Sequence, residues 1–294
     1  GRRHSVFSAS GCRLRADLSG DWEIDTLRAG SLGHVTVNLP RITHECEKDK
    51  AKFFGLLKER LEMAARALEI KYAALKQHGK RLLPFLMQNA NGDQYFRLEN
   101  SSNLINLVGL KEAAEVFYGK SIHEDERAFK FAEEMTQYIS DYTQKTSKRR
   151  RKRLLTAMLP SVEDSERLAQ LDIERYGIAK VRFSGTRERP FYSTISKLVF
   201  QDGKVPQGAL TAERKLCELC DGGSLTVIEL GDVERKPDEL MPLTRLLIET
   251  YGIEFFTYDR KQTYCISCKK SWFGLLHKCP FCGATSTLTH FSGN

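Results

Sequence analysis

The clearest pattern in the chain is the recurrence of apolar residues every three or four positions, which indicates amphipathic helices. One such stripe runs through residues 48–77, and a second runs through residues 123–145. The first stripe comprises Phe53, Leu57, Leu61, Ala64, Leu68, Tyr72 and Leu75. Charged residues fill the positions between them, so we interpret the stripe as core and not as a cofactor site. Shorter helices are predicted around residues 113–118 and at 166–176 and 242–251.

Short apolar or β-branched runs between these helices predict strands. They lie at residues 34–42, 104–110, 191–200, 225–230 and 253–258, with a further apolar segment at 154–160. Pro40 is expected to end the first of them. Residues 89–93 are predicted as a loop and residues 216–223 as a turn. Helices that alternate with strands favour an α/β fold, so we expect one domain over residues 1–258 and a small appendix over residues 259–294.

The appendix contains two Cys-x-x-Cys pairs separated by ten residues. The four cysteines are Cys265, Cys268, Cys279 and Cys282. Zinc prefers four ligands in a tetrahedron and binds thiolates well, so the spacing predicts a structural zinc site. Two disulfides are the alternative, but disulfides belong to oxidising compartments. Zinc alone does not identify a function, because such modules bind nucleic acid, bind protein or hold a tail in place.

Composition restricts the class of protein. The chain has 294 residues, of which 41% are hydrophobic and 29% charged, as expected for a soluble globular protein with a core. It has neither an apolar run of about 20 residues, which a membrane span needs, nor the pattern of a signal peptide. We therefore expect a cytoplasmic protein. The absence of an initiator Met and the ending at Asn294 indicate that the sequence is part of a longer protein.

Three further features leave alternatives open. The net charge of +8 includes a basic run at residues 148–153, which is either a solvated helix end or loop, or a patch that binds anions or nucleic acid. Cys217 and Cys220 form a third Cys-x-x-Cys, either in a turn or as a second metal pair. Cys12 is either a structural thiol or a reactive one, if Arg13 and Arg15 approach it and lower its pKa.

Several stretches, taken in order, resemble a known family. They are Gly11-Cys12-Arg13, the segments 33–42, 107–113 and 171–177, Leu216-Cys217 with Gly222-Gly223, and the four-cysteine tail. Together they are similar to the C-terminal half of anaerobic (class III) ribonucleoside-triphosphate reductase, a glycyl radical enzyme. The resemblance spans nearly the whole chain, and the ordered set is more specific than any single stretch apart from the tail.

The resemblance implies a ten-stranded α/β barrel with a central finger loop near residues 8–34 and a C-terminal zinc module. Cys12 occupies the position of the cysteine that becomes a thiyl radical and takes a hydrogen atom from the ribose. Gly293 occupies the position of the radical glycine, and His290 and Asn294 replace the family's flanking Arg and Tyr. The zinc module would hold the glycine loop next to Cys12.

For substrate binding, the resemblance implies Ser31, which replaces a family asparagine, and Asn38 at the wall of the site. The family's loop that contacts the substrate phosphates matches residues 159–164, where only Pro160 is retained. The implied reaction is reduction of ribonucleoside triphosphates with formate, after a radical S-adenosylmethionine activase has installed the glycyl radical. Implied partners are the missing N-terminal half or a second reductase chain, commonly in a homodimer, with no membrane.

Two other functions remain to be tested against this one. A zinc-containing nucleic-acid-binding protein would explain the zinc tail, the basic run and the net charge. An accessory protein without catalytic activity, docked on a complete reductase, would explain the resemblance without requiring a radical.

Overall fold

The structure is a computed structural model that describes residues 5–291, except 18, 195, 201–203 and 232–234. The chain divides into two compact units, residues 1–194 with 215–224 and residues 195–214 with 225–294. The division falls at other points than the boundary near residue 258 expected from the sequence. Each unit contains a parallel sheet with helical connections, so the α/β class is confirmed.

The first unit begins with an antiparallel hairpin of β1 (Ser5–Phe7) and β2 (Arg13–Arg15). There follow α1 (Trp22–Thr26), β3 (Ser31–Asn38), α2 (Leu39–Glu45), α3 (Lys50–Leu82), β4 (Asn89–Ala90) and β5 (Asp93–Gln94). The unit continues with β6 (Ser102–Val108), α4 (Leu110–Tyr118), α5 (Glu126–Arg150), β7 (Arg153–Ala157), α6 (Val162–Tyr176), β8 (Ser184–Gly185) and β9 (Pro190–Phe191).

The main sheet of this unit is parallel, with β6 between β3 and β7. Every residue of β6 is buried, as expected for a central strand covered on both faces. Side chains alternate between the two faces of a strand. Ile105 and Leu107 therefore join the core formed with α3 and α5, whereas Leu104 packs on the opposite face with Cys12. The hairpin and the helices thus contact opposite faces of one sheet.

The long helices follow the apolar stripes closely, but two boundaries differ from the prediction. The strand predicted over residues 34–42 does not continue to residue 42. Pro40 instead lies in the first turn of α2, where its missing N–H loses no helical hydrogen bond. Residues 89–93 belong to a short hairpin, β4–β5, and not to an open loop. Helix α5 runs on to Arg150 and takes in the first half of the basic run.

The second unit contains a parallel sheet of β10 (Ser196–Val199), β11 (Thr226–Glu229) and β12 (Phe256–Asp259), with β11 in the centre. The connections are α7 (Gln207–Leu219), whose last turn belongs to the first unit, and α8 (Pro237–Arg245), which continues as a π-helical turn to Thr250. Cys217 lies within α7, so the turn predicted to begin at residue 216 was wrong for its first residues.

A small antiparallel sheet completes the second unit, with β13 (Gln262–Cys265) between β14 (Lys270–Phe273) and β15 (Leu288–Phe291). The described strands form separate two- and three-stranded sheets, so the ten-stranded barrel is not seen in this part of the chain. No helix among the described residues is long and apolar enough to cross a membrane.

Candidate functional site

Cys12 ends the turn of the β1–β2 hairpin. The Ser8 N–H donates to the Cys12 carbonyl at 2.9 Å, and Gly11 adopts a φ of 87°, which favours glycine. The cysteine is only 5% exposed and packs against Leu104, Ala157 and Leu159. The hairpin therefore holds a buried thiol against the sheet face that the helices leave free.

The surroundings of Cys12 favour the protonated thiol. Burial raises its pKa, and the nearby Ser102 hydroxyl opposes this shift. Arg13 and Arg15 are not among the causes of this shift, and both guanidinium groups pair with Asp221. The condition for a reactive thiolate at Cys12 is therefore not met.

A segment that follows α7 lies directly against the hairpin. The Arg13 N–H donates to the Gly222 carbonyl at 2.8 Å, and the Gly222 N–H donates to the Thr156 carbonyl at 2.8 Å. The Met158 N–H donates to the Gly223 carbonyl at 3.0 Å. The two glycines thus fasten the hairpin to the edge of β7.

Arg153, the last residue of the basic run, is not a surface cation. It is 2% exposed and donates to the Arg15 carbonyl at 2.7 Å, the Asp25 carbonyl at 2.9 Å and the Asp17 carboxylate at 2.7 Å. These acceptors lie at the base of the hairpin and in α1. The run therefore splits into a solvated helix end and one buried structural arginine, which a compositional argument could not distinguish.

The two predicted substrate residues lie at opposite ends of β3. Ser31 is exposed at the start of the strand. Asn38 ends it, accepts the Arg41 N–H at 3.0 Å as the cap of α2, and donates to Asp172 at 2.9 Å. Among the described residues, neither side chain hydrogen-bonds to the Cys12 hairpin.

Asp172 is the centre of a buried polar cluster that the sequence reasoning missed. Its carboxylate is fully buried and accepts hydrogen bonds from Asn38, Arg41 and Tyr192, the last at 2.8 Å. Burial and the Asp172 charge raise the pKa of Tyr192 far above its usual range. The sequence does contain a signal for this cluster, because Asp172 lies on the same buried face of α6 as Ser165 and Ala169. A carboxylate buried there requires hydrogen-bonding partners.

The segment after β7 is also fixed in place. The Asn106 side chain accepts the Leu159 N–H at 2.8 Å and donates to its carbonyl at 3.3 Å, extending the sheet like a backbone partner. Asp164 accepts hydrogen bonds from Thr36 and Ser161. Burial opposes its ionisation, but these hydrogen bonds outweigh it and lower the pKa of the carboxyl. The Ser161 hydroxyl of this segment therefore binds a carboxylate of the same segment.

The four predicted metal ligands come together. Their sulfur atoms all lie within 4.8 Å of one another, with 3.5 Å between Cys265 and Cys282 and 3.7 Å between Cys268 and Cys279. Four thiolates around a zinc ion with Zn–S bonds of about 2.3 Å would lie about 3.8 Å apart. The two printed separations are close to this value, so the four thiols fit such an ion.

Each cysteine pair forms the same tight turn. The Lys269 N–H donates to the Cys265 carbonyl at 2.8 Å, and the Gly283 N–H donates to the Cys279 carbonyl at 3.0 Å. Lys269 and Gly283 both have positive φ, at 58° and 73°. A hydrogen bond from the Cys268 N–H lowers the pKa of Cys265 to about 6, whereas burial raises the pKa of Cys268, so one thiol of this pair ionises more readily than the other.

Gly293 lies outside the described residues, so its prediction stays a prediction. His290 lies in β15 opposite Thr263, and its Nε2 is 2.9 Å from the Leu276 carbonyl oxygen. The strand that precedes the glycine is therefore part of the small sheet that holds the cysteines.

Comparisons with known proteins agree on one family. The family model described as anaerobic ribonucleoside-triphosphate reductase matches residues 2–292. The enzyme of that name from Haemophilus influenzae is 25% identical over 215 residues, which are 69% of this chain and 30% of the relative. The Escherichia coli enzyme is 24% identical over 250 residues, which are 78% of this chain and 34% of the relative. The chain thus spans about a third of the length of these curated relatives.

Solved structures give the same fold. Two crystal structures of the anaerobic ribonucleotide reductase from Thermotoga maritima match 88% of this chain at 21% identity. One, with MES in its active site, has a TM-score of 0.69, and this chain covers 42% of its length. The other, in complex with dATP and CTP, has a TM-score of 0.68, and this chain covers 41% of its length. At this identity the likeness establishes the fold and leaves the chemistry to the residues.

Proposed function

Because the chain belongs to the family of anaerobic ribonucleoside-triphosphate reductases, we propose that it is the C-terminal part of such an enzyme, with Cys12 as the catalytic cysteine. The complete enzyme converts a ribonucleoside triphosphate, formate and a proton into the deoxyribonucleoside triphosphate, carbon dioxide and water. The observation that supports this role best is the buried thiol at the turn of the β1–β2 hairpin.

Cys12 acts by exchanging a hydrogen atom. A sulfur-centred radical is a strong enough hydrogen acceptor to take a hydrogen atom from the ribose, and it returns the atom once the sugar is reduced. Burial against Leu104 and Leu159 protects such a radical from water and other side chains. Ser31 and Asn38 are proposed to contact the substrate at the two ends of β3.

Gly293 is proposed as the site of the stored radical. The radical there, once installed by an S-adenosylmethionine-dependent activase, supplies the oxidising equivalent that removes the hydrogen atom from Cys12. Glycine is suited to this role because the flanking amides stabilise a Cα radical and no side chain obstructs its approach to the thiol.

Zinc is proposed as the metal at Cys265, Cys268, Cys279 and Cys282. It supplies a rigid tetrahedral centre without redox chemistry of its own. The cysteine turns and β13 then form a fixed support for β15, from which residues 292–294 continue.

The remaining partners come from the rest of the enzyme. We propose that the parallel strands of the two units belong to a ten-stranded barrel completed by the N-terminal part or by a second reductase chain, in an assembly that is commonly a homodimer. The reducing chemistry and eight cysteines without disulfides suit the cytoplasm.

The decisive experiment is anaerobic electron paramagnetic resonance of this chain mixed with the remainder of the enzyme, the activase and S-adenosylmethionine. Wild type should give a glycyl doublet that Gly293→Ala abolishes. Cys12→Ser should keep the doublet but form no deoxyribonucleotide, because the O–H bond of serine is too strong for a glycyl radical to remove its hydrogen atom. A folded, zinc-loaded wild type without a doublet would refute the proposal.

A second candidate function, nucleic-acid binding, is favoured by the charge of the zinc module. Residues 260–291 contain five Lys or Arg residues and no Asp or Glu. Lys270 lies over the Phe281 ring, 3.1 Å from its centroid, and Phe281 is 65% exposed. Single strands bind to such pairs of cations and aromatic rings. Affinity for single-stranded DNA that falls steeply with salt, and falls further in Phe281→Ala, would support this function.

A further inference from the structure

The face of β6 that meets the Cys12 hairpin carries Ser102, Leu104 and Asn106. These three share a face because side chains at every second position of a strand point the same way. Leu104 packs against Cys12, and the Asn106 side chain holds the main chain of Leu159, which packs there as well. Ser102, the first residue of the strand, therefore lies on the same side of the sheet as the thiol.

The Ser102 hydroxyl is enclosed without a hydrogen-bond partner. The residue is fully buried, and among the described residues its Oγ has no partner of ordinary geometry. The hydroxyl of the preceding residue, by contrast, is satisfied: Ser101 donates to the Arg97 carbonyl at 3.0 Å. A buried hydroxyl without a partner costs free energy, because its hydrogen bonds to water in the unfolded chain are not replaced. Such a group calls for an explanation other than stability.

The sulfur of Cys12 is the polar atom on which this hydroxyl acts. Burial raises the pKa of the Cys12 thiol, and the Ser102 side chain opposes this shift. A hydroxyl lowers the pKa of a thiol by donating to the sulfur, because that hydrogen bond favours the thiolate. The hydroxyl therefore faces the sulfur, although the two do not form a hydrogen bond of ordinary geometry in this structure.

We propose that Ser102 is a positioning residue for Cys12: its hydroxyl donates to a lone pair of the sulfur and thereby fixes the direction of the S–H bond. The inference rests on the proposed role of Cys12 in hydrogen-atom exchange. A donor to the lone pair leaves the thiol hydrogen free, whereas an acceptor such as a carboxylate would bind that hydrogen. Ser102 makes no contact with substrate in this role.

The other groups around Cys12 do not compete for the sulfur. The side chains that pack against the thiol are apolar. Arg13 and Arg15 follow Cys12 on the hairpin, and their guanidinium groups pair with Asp221. Arg153 of β7 donates to acceptors at the base of the hairpin. Burial and the Ser102 side chain account for the shift in the Cys12 pKa, and none of these charged groups is among its causes.

The test is difference Raman spectroscopy of the S–H stretching band in the whole chain. This band lies apart from other protein bands, and subtraction of the Cys12→Ala spectrum isolates the contribution of this thiol. Ser102→Ala should shift the isolated band, because the S–H stretching frequency responds to the hydrogen bonds of the sulfur. Ser102→Thr, which keeps a hydroxyl at the same position, should retain the wild-type frequency.

The adjacent Ser101 provides a matched control. Ser101→Ala should leave the Cys12 band unchanged and lower the urea midpoint of unfolding, because it removes a hydrogen bond that the folded chain makes. Ser102→Ala should show the opposite pattern. Its urea midpoint should equal or exceed that of wild type, because the variant removes a buried hydroxyl that has no partner of ordinary geometry.

Turnover of the reconstituted enzyme gives a second measurement. Ser102→Ala should lower kcat about five- to tenfold, the value of one hydrogen bond, because the thiol is then less often aligned for the exchange. KM should stay unchanged, since the hydroxyl does not touch the substrate. Ser102→Thr should restore kcat.

An unchanged band in Ser102→Ala, or a Ser102→Thr band that matches that of Ser102→Ala, overturns the inference. A Ser102→Ala variant that unfolds or has a lowered urea midpoint also overturns it, because the hydroxyl is then a structural group. A shifted band with unchanged kcat rejects the positioning role. Raman spectra need no turnover, so they decide whether the hydroxyl binds the sulfur even if the enzyme proves inactive. An unchanged band together with wild-type formation of deoxyribonucleotides rejects this inference and leaves the proposed function standing.

Discussion

At the scale of single residues, the first unit is organised by buried charges whose partners are distant in sequence. Arg153 joins β7 to Asp17, and Arg41 reaches Asp172 across 131 residues. Such pairs are costly to bury and costlier to break, because the remaining partner keeps its charge without compensation. The basic run could be found in the sequence, but the separate role of Arg153 could not, because nothing local distinguishes it from Arg149.

Arg153→Lys should destabilise the first unit by about 2–3 kcal/mol. A lysine keeps the charge but cannot donate to the Arg15 and Asp25 carbonyls and the Asp17 carboxylate together. Urea unfolding followed by circular dichroism measures the loss. Arg149→Lys, in the same run but exposed, is the control and should change stability by less than about 0.5 kcal/mol. Equal effects would contradict the structural role of Arg153.

The His44 ring predicts a specific pH dependence of stability. It stacks on Tyr176 at 4.7 Å, and burial lowers its pKa from 6.5, although Asp172 opposes the shift. A lowered pKa in the folded state means that the unfolded state binds the proton more readily. The His44 contribution is therefore complete above pH 6.5 and decreases as the pH falls below that value.

When the pH is lowered from 7.5 to 5, His44→Gln should thus lose less stability than wild type. Urea unfolding at the two pH values measures this loss. His78→Gln, at an exposed position of α3, should retain the wild-type loss. An equal loss in all three proteins would show that His44 titrates normally.

At the scale of elements, the predictable features were those encoded by local spacing. The stripes of α3 and α5 and the two cysteine pairs needed no knowledge of the rest of the chain. Helix α7 was missed because a Cys-x-x-Cys followed by Gly222 and Gly223 resembles a turn, and only the last residues of that stretch form one. Helix α2 does not follow from Pro40 alone, because proline occurs both at the ends of strands and in the first turn of a helix.

Two glycines allow the cost of a close contact to be separated from the cost of backbone strain. Gly109 and Gly119 flank α4 and have the same φ of 74°. A Cβ at Gly109 would lie 2.3 Å from Pro40 Cγ, whereas a Cβ at Gly119 would meet nothing within 4 Å. Gly119→Ala should cost about 1 kcal/mol, and Gly109→Ala about 1–3 kcal/mol more. Equal unfolding free energies of the two variants would mean that Pro40 moves aside without cost.

At the scale of the whole molecule, each unit has its own main apolar core among the residues that the structure describes. One lies between the β3–β6–β7 sheet and its helices, and the other surrounds β10 and β11 in the second unit. The sequence indicated the α/β class but not this division, because the chain leaves the first unit before residue 195, returns at residue 215 and leaves again after residue 224. Contacts between distant segments, and not composition, set such boundaries.

Removal of the metal should affect one unit and spare the other. A chelator, or Cys279→Ser, should release about one zinc ion per chain and abolish the order of β13–β15, since a structural zinc site is worth on the order of 10 kcal/mol in small domains. Protease cleavage within residues 260–291 should accelerate while the melting of the first core remains. Ser267→Ala, exposed in the same turn, is the control and should retain its zinc. Simultaneous collapse of both cores would contradict their independence.

The edge of β3 has a consequence for handling the protein. Within the described part of the chain, β6 is the one strand that pairs with β3, so the backbone donors and acceptors along the opposite edge of β3 have no strand partner there. Such an edge is a template for strand addition. Concentrated preparations of this chain should therefore self-associate through that edge, and a peptide that occupies it should act as a solubilising chaperone.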